Sequence, residues 1–186
     1  MNATNYPEVG WMKERFQVLT LNNEIVEFDW TIQPGGSVPE HLHKESDEYF
    51  KVLEGELTFS LDGKTMIKKA GEELFVSKMA LHSVANRSRN VGKCRVSYLP
   101  VADQGKFFQI LFFLHELNPN DKYALFKAMY ISERLNYKEF STMQGGVKIV
   151  MKVMMGFFSF FAFLTGWDKL VRKYVQTEVK HALVGS

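Results

Sequence analysis

The feature that most constrains the fold is a series of short segments, between residues 16 and 101, in which apolar and polar residues alternate. Alternation with a period of two is typical of strands that bury one face. Residues 47–69 are expected to form three such strands, with turns at Gly55 and at Asp62-Gly63, the latter a typical hairpin sequence. Short strands at this even spacing predict a mainly β fold, either an antiparallel sandwich or a barrel.

The pattern changes after Gly105. Residues 106–117 are nearly all apolar, and the length of this run favours a buried helix over a strand. Asn120 is expected to be the N-cap of a second, amphipathic helix. We therefore expect a β-barrel with an N-terminal arm in residues 1–105. A helical, apolar C-terminal extension follows in residues 106–186 and packs on the barrel or on a dimer mate.

Length, charge and cysteine content narrow the classes of protein. A chain of 186 residues, 46% of them hydrophobic, is long enough for one packed domain with an appendage. Its net charge of +2 argues against a nucleic acid as partner. The single cysteine, Cys94, cannot form an internal disulfide, and the N-terminus has no basic stretch followed by an apolar run. We therefore expect a cytoplasmic protein.

Three histidines and one glutamate are spaced like the ligands of a divalent metal ion. His41 and His43 are two residues apart in an extended segment, so both side chains can reach one ion. Glu48 follows after a short loop, and His82 comes from a separate hairpin. Imidazole and carboxylate ligands suit Zn, Fe, Mn, Ni, Cu or Co, and the residues do not choose among these metals. We expect Glu48 to be both a metal ligand and a transient catalytic base.

Charged residues next to the proposed ligands have two interpretations. Glu40, Glu45 and Asp47 are either solvated loop residues or part of the site's surroundings. A histidine that binds a metal usually donates its second ring N–H to a carboxylate, a carbonyl or water. Glu40 or Asp47 is therefore a candidate acceptor for one of the histidines.

Two motifs around these residues resemble the motifs of the cupin family. The first motif is Gly35, five residues, His41-x-His43, four residues, Glu48, six residues, Gly55, and the second is Gly71, ten residues, His82, and then Asn86. The second motif departs from the family at Ser77, where proline is frequent, and at Met79, where glycine is frequent. The resemblance covers roughly residues 25–100. It implies a jelly-roll β-barrel that holds the metal in its mouth, and all four metal positions of the family are filled.

The resemblance leaves the activity open, because this family includes dioxygenases, isomerases, decarboxylases, epimerases and non-catalytic sensors. We expect a metal-dependent enzyme, dioxygenase-like or an isomerase, that acts on a small, largely apolar molecule. The alternatives are a non-catalytic protein that binds such a molecule and a protein that acts at a membrane surface. Additional acid or base residues in the barrel would favour an enzyme, whereas a uniformly apolar lining would favour binding alone.

The C-terminal part has a run of 15 uncharged residues, Val153 to Trp167. As a helix the run would be roughly 22 Å long, shorter than a hydrocarbon core of ~30 Å. Three arrangements are considered: packing on the barrel or a dimer mate, lying in a membrane interface with basic neighbours in residues 148–173, and spanning a membrane. We expect the first, with a homodimer as the assembly. A helical layer over the barrel mouth would make the pocket apolar and partly closed.

Overall fold

The chain folds into two antiparallel sheets and four helices, in a computed structural model that describes residues 6–137, 142–143 and 145–184. The strands are β1 Val9–Trp11, β2 Glu14–Leu21, β3 Val26–Ile32, β4 Ser37–Leu42, β5 Asp47–Glu54, β6 Glu56–Leu61, β7 Lys64–Lys69, β8 Glu73–Val76, β9 His82–Ala85, β10 Gly92–Leu99 and β11 Thr142–Met143. The helices are α1 Ala102–Leu117, α2 Ala124–Arg134, α3 Gly145–Thr165 and α4 Asp168–Val184.

The strand order is that of a jelly roll. One sheet has the order β1-β2-β3-β10-β5-β8 and the other has the order β11-β4-β9-β6-β7. Neighbouring strands such as β3 and β10 are far apart in the sequence, which distinguishes this topology from a simple meander. The predicted mainly β barrel with a helical C-terminal part is therefore confirmed. Part of the N-terminal arm forms an edge strand, with Val9 opposite Phe16.

The core lies between the two sheets. Val26, Phe28 and Ile32 of β3 are separated by multiples of two residues, so they share one face of the strand, and they are at most 3% exposed, as the alternation predicts. Phe50 of β5 and Phe59 of β6 belong to different sheets, and their rings meet edge to face with centroids 5.1 Å apart. Aromatic contacts of this kind add to the burial energy and join the two sheets into one core.

The two predicted turns have different roles. Asp62 and Gly63 have φ angles of 47° and 79° and close the hairpin of β6 and β7. Gly55, with φ 69°, instead leads the chain from β5 in one sheet to β6 in the other. A Cβ atom at Gly55 would lie 2.5 Å from the carbonyl oxygen of Val91, whereas a Cβ at Gly63 would meet no atom within 4 Å.

Alanine at these two glycines is expected to separate backbone strain from steric conflict. Gly63→Ala should cost about 1 kcal/mol of folding free energy, because only the left-handed φ is unfavourable. Gly55→Ala should cost about 2 kcal/mol, because the Val91 backbone must also move. Urea unfolding of both variants measures the difference. Equal losses would show that the crossing at Gly55 tolerates a side chain.

The helices differ from the sequence prediction at their starting points. α1 is the expected buried helix, but it begins at Ala102. α2 begins at Ala124, so the prediction of Asn120 as its N-cap is wrong. The reason is a turn before the helix, in which the Asp121 carboxylate accepts the N–H of Tyr123 at 2.9 Å and pairs with Lys127 Nζ at 2.6 Å.

α1 connects the barrel to α4. The Phe108 ring of α1 lies on Phe28 of the barrel, with centroids 4.8 Å apart. On the other side of α1, the Phe113 ring meets Tyr174 of α4 at 5.4 Å. An ion pair of 3.0 Å between α1 Lys106 and Glu178 of α4 supplements this contact. Within the chain, α1 therefore packs on the barrel, and α4 packs on α1.

Among the side chains that the structure describes, those of α3 are the least buried of the four helices. Ala162 of α3 and Trp167, which lies just beyond the end of the helix, pack with Tyr130 of α2. Seven large apolar side chains of α3 are instead 64–74% exposed: Ile149, Val150, Val153, Phe157, Phe160, Phe163 and Leu164. Within the described residues, no helix combines the length and the apolar character needed to cross a membrane.

Candidate metal centre

Three strands bring the four proposed metal ligands together. His41 of β4 lies opposite His82 of β9 in the strand register, and their ring centroids are 4.2 Å apart. His43 is the first residue after β4, and Glu48 projects from β5 in the other sheet. All four residues are buried, and one ligand atom from each lies within 4.8 Å of the others. The group is therefore close enough to hold a single metal ion.

The atoms at the centre of this group lack ordinary partners. Glu48 Oε2 lies 2.8 Å from His82 Nε2 and 3.3 Å from His43 Nε2. Despite these short distances, none of the three buried atoms makes a well-aligned hydrogen bond with a described residue. Buried polar atoms without such partners are costly. A cation between them would remove this cost, and three imidazoles with one carboxylate suit zinc or a divalent transition metal.

The charges of the group also suit a cation. Burial alone would raise the pKa of Glu48, but His43 and His82 outweigh it and hold this pKa well below its ordinary value. Burial, assisted by His82, lowers the pKa of His41 to about 4, so His41 is neutral at pH 7. Burial opposes a charge on His82, but Glu48 raises the pKa of His82 overall. A metal ion would displace any proton held there.

Backbone carbonyl groups orient two of the histidines. His41 Nδ1 is 2.7 Å from the carbonyl oxygen of Pro39, and His82 Nδ1 is 3.1 Å from that of Ala80. A carbonyl oxygen can only accept, so each Nδ1 carries the proton and each Nε2 keeps a lone pair for the centre.

The two carboxylates considered as acceptors do not have this role. Glu40 is exposed on β4, and the Asp47 carboxylate accepts the backbone N–H of Lys78 at 2.7 Å. Of the two interpretations of these residues, the one in which Glu40 or Asp47 orients a histidine is therefore not supported, and the one in which they are solvated charges remains. Strand geometry explains this result for His41 and His82, because the backbone carbonyl two residues before each of them is already within reach.

His43 has its ring partner on α1. Gln104 Nε2 lies 3.2 Å from His43 Nδ1, and Gln104 Oε1 accepts the Ser46 hydroxyl at 3.3 Å. Turning the amide over exchanges its donor and acceptor ends, and the Ser46 hydroxyl can serve either end. Gln104 can therefore accept the Nδ1 proton of His43, which is the tautomer that leaves Nε2 free for a metal.

Gln104→Leu is expected to weaken metal binding by about 10- to 100-fold, because His43 loses the partner that fixes its tautomer. Gln104→Glu keeps an acceptor at this position and should restore most of the affinity. Competition with a chelator measures both variants, and their melting temperatures show whether the barrel is intact. An unchanged affinity in Gln104→Leu would show that His43 needs no partner.

The loop before His82 takes a left-handed turn at Met79, one of the two unusual residues of the second motif. Met79 has φ 67°, in the left-handed region that favours the glycine frequent at this position. Its backbone N–H donates to the carbonyl oxygen of His43 at 2.7 Å. This bond ties the loop to the segment that carries the first two ligands.

A cavity of about 320 Å³ opens beside His41 and His43. Its apolar walls are formed by Trp11, Phe16, Phe28, Val38, Pro39, Phe107, Phe108, Leu125, Phe126 and Met129. α1 and α2 supply five of these residues and form a helical layer over this part of the barrel. The described residues of the 153–167 run contribute none of the lining, so the layer that the structure shows over the pocket is formed by α1 and α2.

Besides Gln104, two ionisable residues of the cavity were not recognised from the sequence. Tyr98 of β10 lies opposite Glu48 in the strand register, and its ring centroid is 4.9 Å from that of His43. Burial and the charge of Glu48 raise the pKa of Tyr98, so its hydroxyl stays protonated. Only the long-range pairing of β10 with β5 places Tyr98 here, and the local sequence carries no signal of it.

Glu14, the first residue of β2, is the second of these cavity residues. It is 7% exposed, and its carboxylate accepts the backbone N–H of Ser37. Burial raises the pKa of Glu14 to about 7, although the Ser37 N–H partly opposes the shift. A signal was available, because Glu14 is in phase with the inward-facing Phe16 and Val18.

The barrel of this chain is similar in sequence to known proteins. The model of the Cupin domain family matches residues 28–97, which include all four proposed ligands. The chain is 36% identical to the Bacillus subtilis (strain 168) "Uncharacterized protein YdbB" over 95 residues, covering 47% of this chain and 75% of YdbB. It is 32% identical over 71 residues to the Streptomyces glaucescens "Tetracenomycin polyketide synthase protein TcmJ", covering 38% of this chain and 48% of TcmJ, about half of that protein.

Solved structures of low sequence identity are also similar. KdgF from Halomonas sp. has a TM-score of 0.48 at 12% identity, covering 50% of this chain and 86% of KdgF. An RmlC-like cupin from Shewanella frigidimarina has a TM-score of 0.48 at 21% identity, covering 51% of this chain and 84% of the other. The domain match and the coverage of YdbB, together with the jelly-roll topology, establish that this chain belongs to the cupin superfamily.

Proposed function

We propose that this protein is a metal-dependent enzyme, dioxygenase-like, that acts on a small, largely apolar molecule. The observation that carries the proposal is a buried group of three histidines and one glutamate beside a cavity of about 320 Å³ with mostly apolar walls. A cavity of this kind favours a ring-containing molecule that carries metal-binding oxygen atoms over a sugar. TcmJ is named as a polyketide synthase protein, and an apolar, oxygen-bearing substrate is consistent with that name.

The polar groups of the cavity favour catalysis over binding alone. Beyond the ligands, Glu14, Tyr98 and Gln104 line the cavity. A carboxyl group with a pKa of about 7 can take a proton from a substrate hydroxyl and return it at neutral pH. Glu48 does not line the cavity, and its pKa is held low. We therefore assign metal binding to Glu48, and we assign the role of proton acceptor and donor to Glu14.

A bound divalent ion would supply an electrophilic centre for a substrate oxygen and, if redox-active, the reactivity toward O₂. The chain itself orients the substrate and excludes water. Phe107, Phe108 and Phe126 form an apolar wall against which an aromatic ring can pack. The protonated Tyr98 hydroxyl donates a hydrogen bond to Glu48 and so helps to position this proposed metal ligand. Packing on the apolar wall would place the substrate between Glu14 and the histidine cluster.

Catechol and 2,3-dihydroxynaphthalene are suitable probes, with glucose as the control. The full-length protein would be loaded anaerobically with Fe(II), or separately with the other five metals, and binding would be followed by the fluorescence of Trp11 in the cavity wall. We expect metal-dependent binding of both diols and none of glucose. Binding that persists without metal, or equal binding of glucose, would contradict the proposed substrate class.

Oxygen uptake after admission of air distinguishes an enzyme from a binding protein. With Glu14→Gln we expect the uptake rate to fall by about 100-fold while diol binding is retained, because only proton transfer is removed. Metal-dependent binding without oxygen uptake or product for any metal would instead support the non-catalytic alternative.

A further inference from the structure

We propose that α3 lies flat on an anionic membrane surface and inserts its apolar face among the lipid chains. This proposal does not depend on the metal site. The face is a continuous stripe, because Ile149, Val153, Phe157, Phe160 and Leu164 follow the spacing of one helix side. Each of these residues is at least 64% exposed.

The area of this stripe is too large for an ordinary surface. Val150 and Phe163 widen it, and the seven exposed side chains together offer on the order of 800 Å² of apolar surface. Patches above a few hundred Å² mark sites of interaction with a protein or a membrane. The opposite side of α3 is the one that packs on the domain, through Ala162 near Tyr130 and Trp167.

Both ends of α3 are held by the same domain, which excludes a transmembrane arrangement. Before α3, β11 pairs with β4 of the barrel, with Met143 opposite His41. After α3, the Trp167 ring meets Tyr130 of α2 at 5.9 Å. A helix anchored at both ends on one body has to lie along the surface of that body. An apolar stripe in this orientation matches an interfacial helix.

Basic residues on the flank of α3 and on the helix that follows it favour an anionic membrane. Lys152 lies on the flank of α3, about 100° around the helix from the centre of the stripe, where its charge can reach the headgroups. Beyond Gly166, the exposed side of α4 carries Lys169, Arg172 and Lys173. None of these four side chains has an ion-pair partner among the described side chains. The two acidic residues of α4 that could compete, Asp168 and Glu178, are paired with Arg134 and Lys106.

A second copy of the chain fits this surface less well. Self-association around a two-fold axis pairs a patch with itself, so the basic residues at its rim would face their own counterparts. Anionic lipid covers the apolar stripe and neutralises the same charges. Homodimerisation through another face stays a prediction.

Vesicle co-sedimentation of the full-length protein tests the proposal. Vesicles of phosphatidylcholine would be compared with vesicles that contain a quarter phosphatidylglycerol. We expect binding mainly to the anionic vesicles, and roughly 100-fold weaker binding after Lys169→Glu, Arg172→Glu and Lys173→Glu are combined. Raising the salt from about 0.1 M to about 0.5 M should weaken binding of the unmodified chain in the same direction.

The contribution of the apolar stripe to vesicle binding can be tested with a matched control variant. Val153→Glu with Phe160→Glu should abolish binding, whereas Ile67→Glu with Phe75→Glu, at residues 56% and 55% exposed on the barrel, should leave binding intact. Circular dichroism and metal content show that each variant is folded. Unchanged binding of the first variant, or no binding of the unmodified chain, would overturn the proposal. So would a dimer that the first variant dissociates in sedimentation velocity without any vesicle binding.

Discussion

Replacing His41 with alanine is expected to reduce the metal content of the purified protein from close to one ion per chain to nearly none. His41 supplies one of four ligand atoms that lie within 4.8 Å of each other, and it is neutral at pH 7. Its Nδ1 contacts only a carbonyl oxygen, so the barrel should remain folded without it. Elemental analysis of protein reconstituted with each metal measures the effect.

The same substitution should remove the stabilisation that the metal provides. At a free metal concentration 1,000 times the dissociation constant, binding adds about 4 kcal/mol to the unfolding free energy. The unmodified protein should therefore lose stability on addition of a chelator, and His41→Ala should not respond. His115→Ala, at the end of α1, is the matched histidine control. Metal at full occupancy in His41→Ala, or absence of metal from the reconstituted unmodified chain, would contradict the assignment of the site.

Glu14→Gln is expected to stabilise the protein by about 3 kcal/mol above pH 7 and to have little effect below pH 4.5. Burial raises the pKa of Glu14 from 4.5 to about 7. Between these values the folded chain binds more protons than the unfolded chain, so folding weakens as the pH rises through this window. Glutamine is always neutral, keeps the acceptor for the Ser37 N–H and avoids this cost.

Urea unfolding of metal-free protein at several pH values measures the difference between the two chains. Subtracting one curve from the other removes the titration of all shared groups. Glu24→Gln, in an exposed turn, is the matched control for loss of a carboxylate. A difference that does not change with pH would show that Glu14 is solvated in the folded protein.

The sequence predicted the parts of this molecule that depend on local spacing. The period of two in β3 and the hairpin at Asp62-Gly63 are local signals, and both formed as expected. The pair His41 and His43 is also local, and the resemblance to a family with known motif spacing added Glu48 and His82. The structure brings all four together.

The surroundings of the site depend on contacts between distant segments. Gln104 reaches His43 across 61 residues of sequence, and no pattern within α1 marks it as a partner. Tyr98 faces the cavity because of the register between β10 and β5. The apolar walls come from α1 and α2, whereas the most apolar run of the sequence, in α3, faces outward. Hydrophobicity alone does not show which of several apolar helices covers a pocket.

The short strand β11 links the exposed helix α3 to the strand that carries His41. At His41, β4 is paired with β9 on one side and with β11 on the other, and β11 runs almost directly into α3. A force on α3 is thus transmitted through two backbone pairs to a segment that carries a proposed metal ligand. The hydrogen-exchange rates of the amides of residues 41 and 42 should therefore depend on whether α3 is held in place. When α3 docks on a membrane, a change in these exchange rates would report the docking at residues that the lipid does not contact.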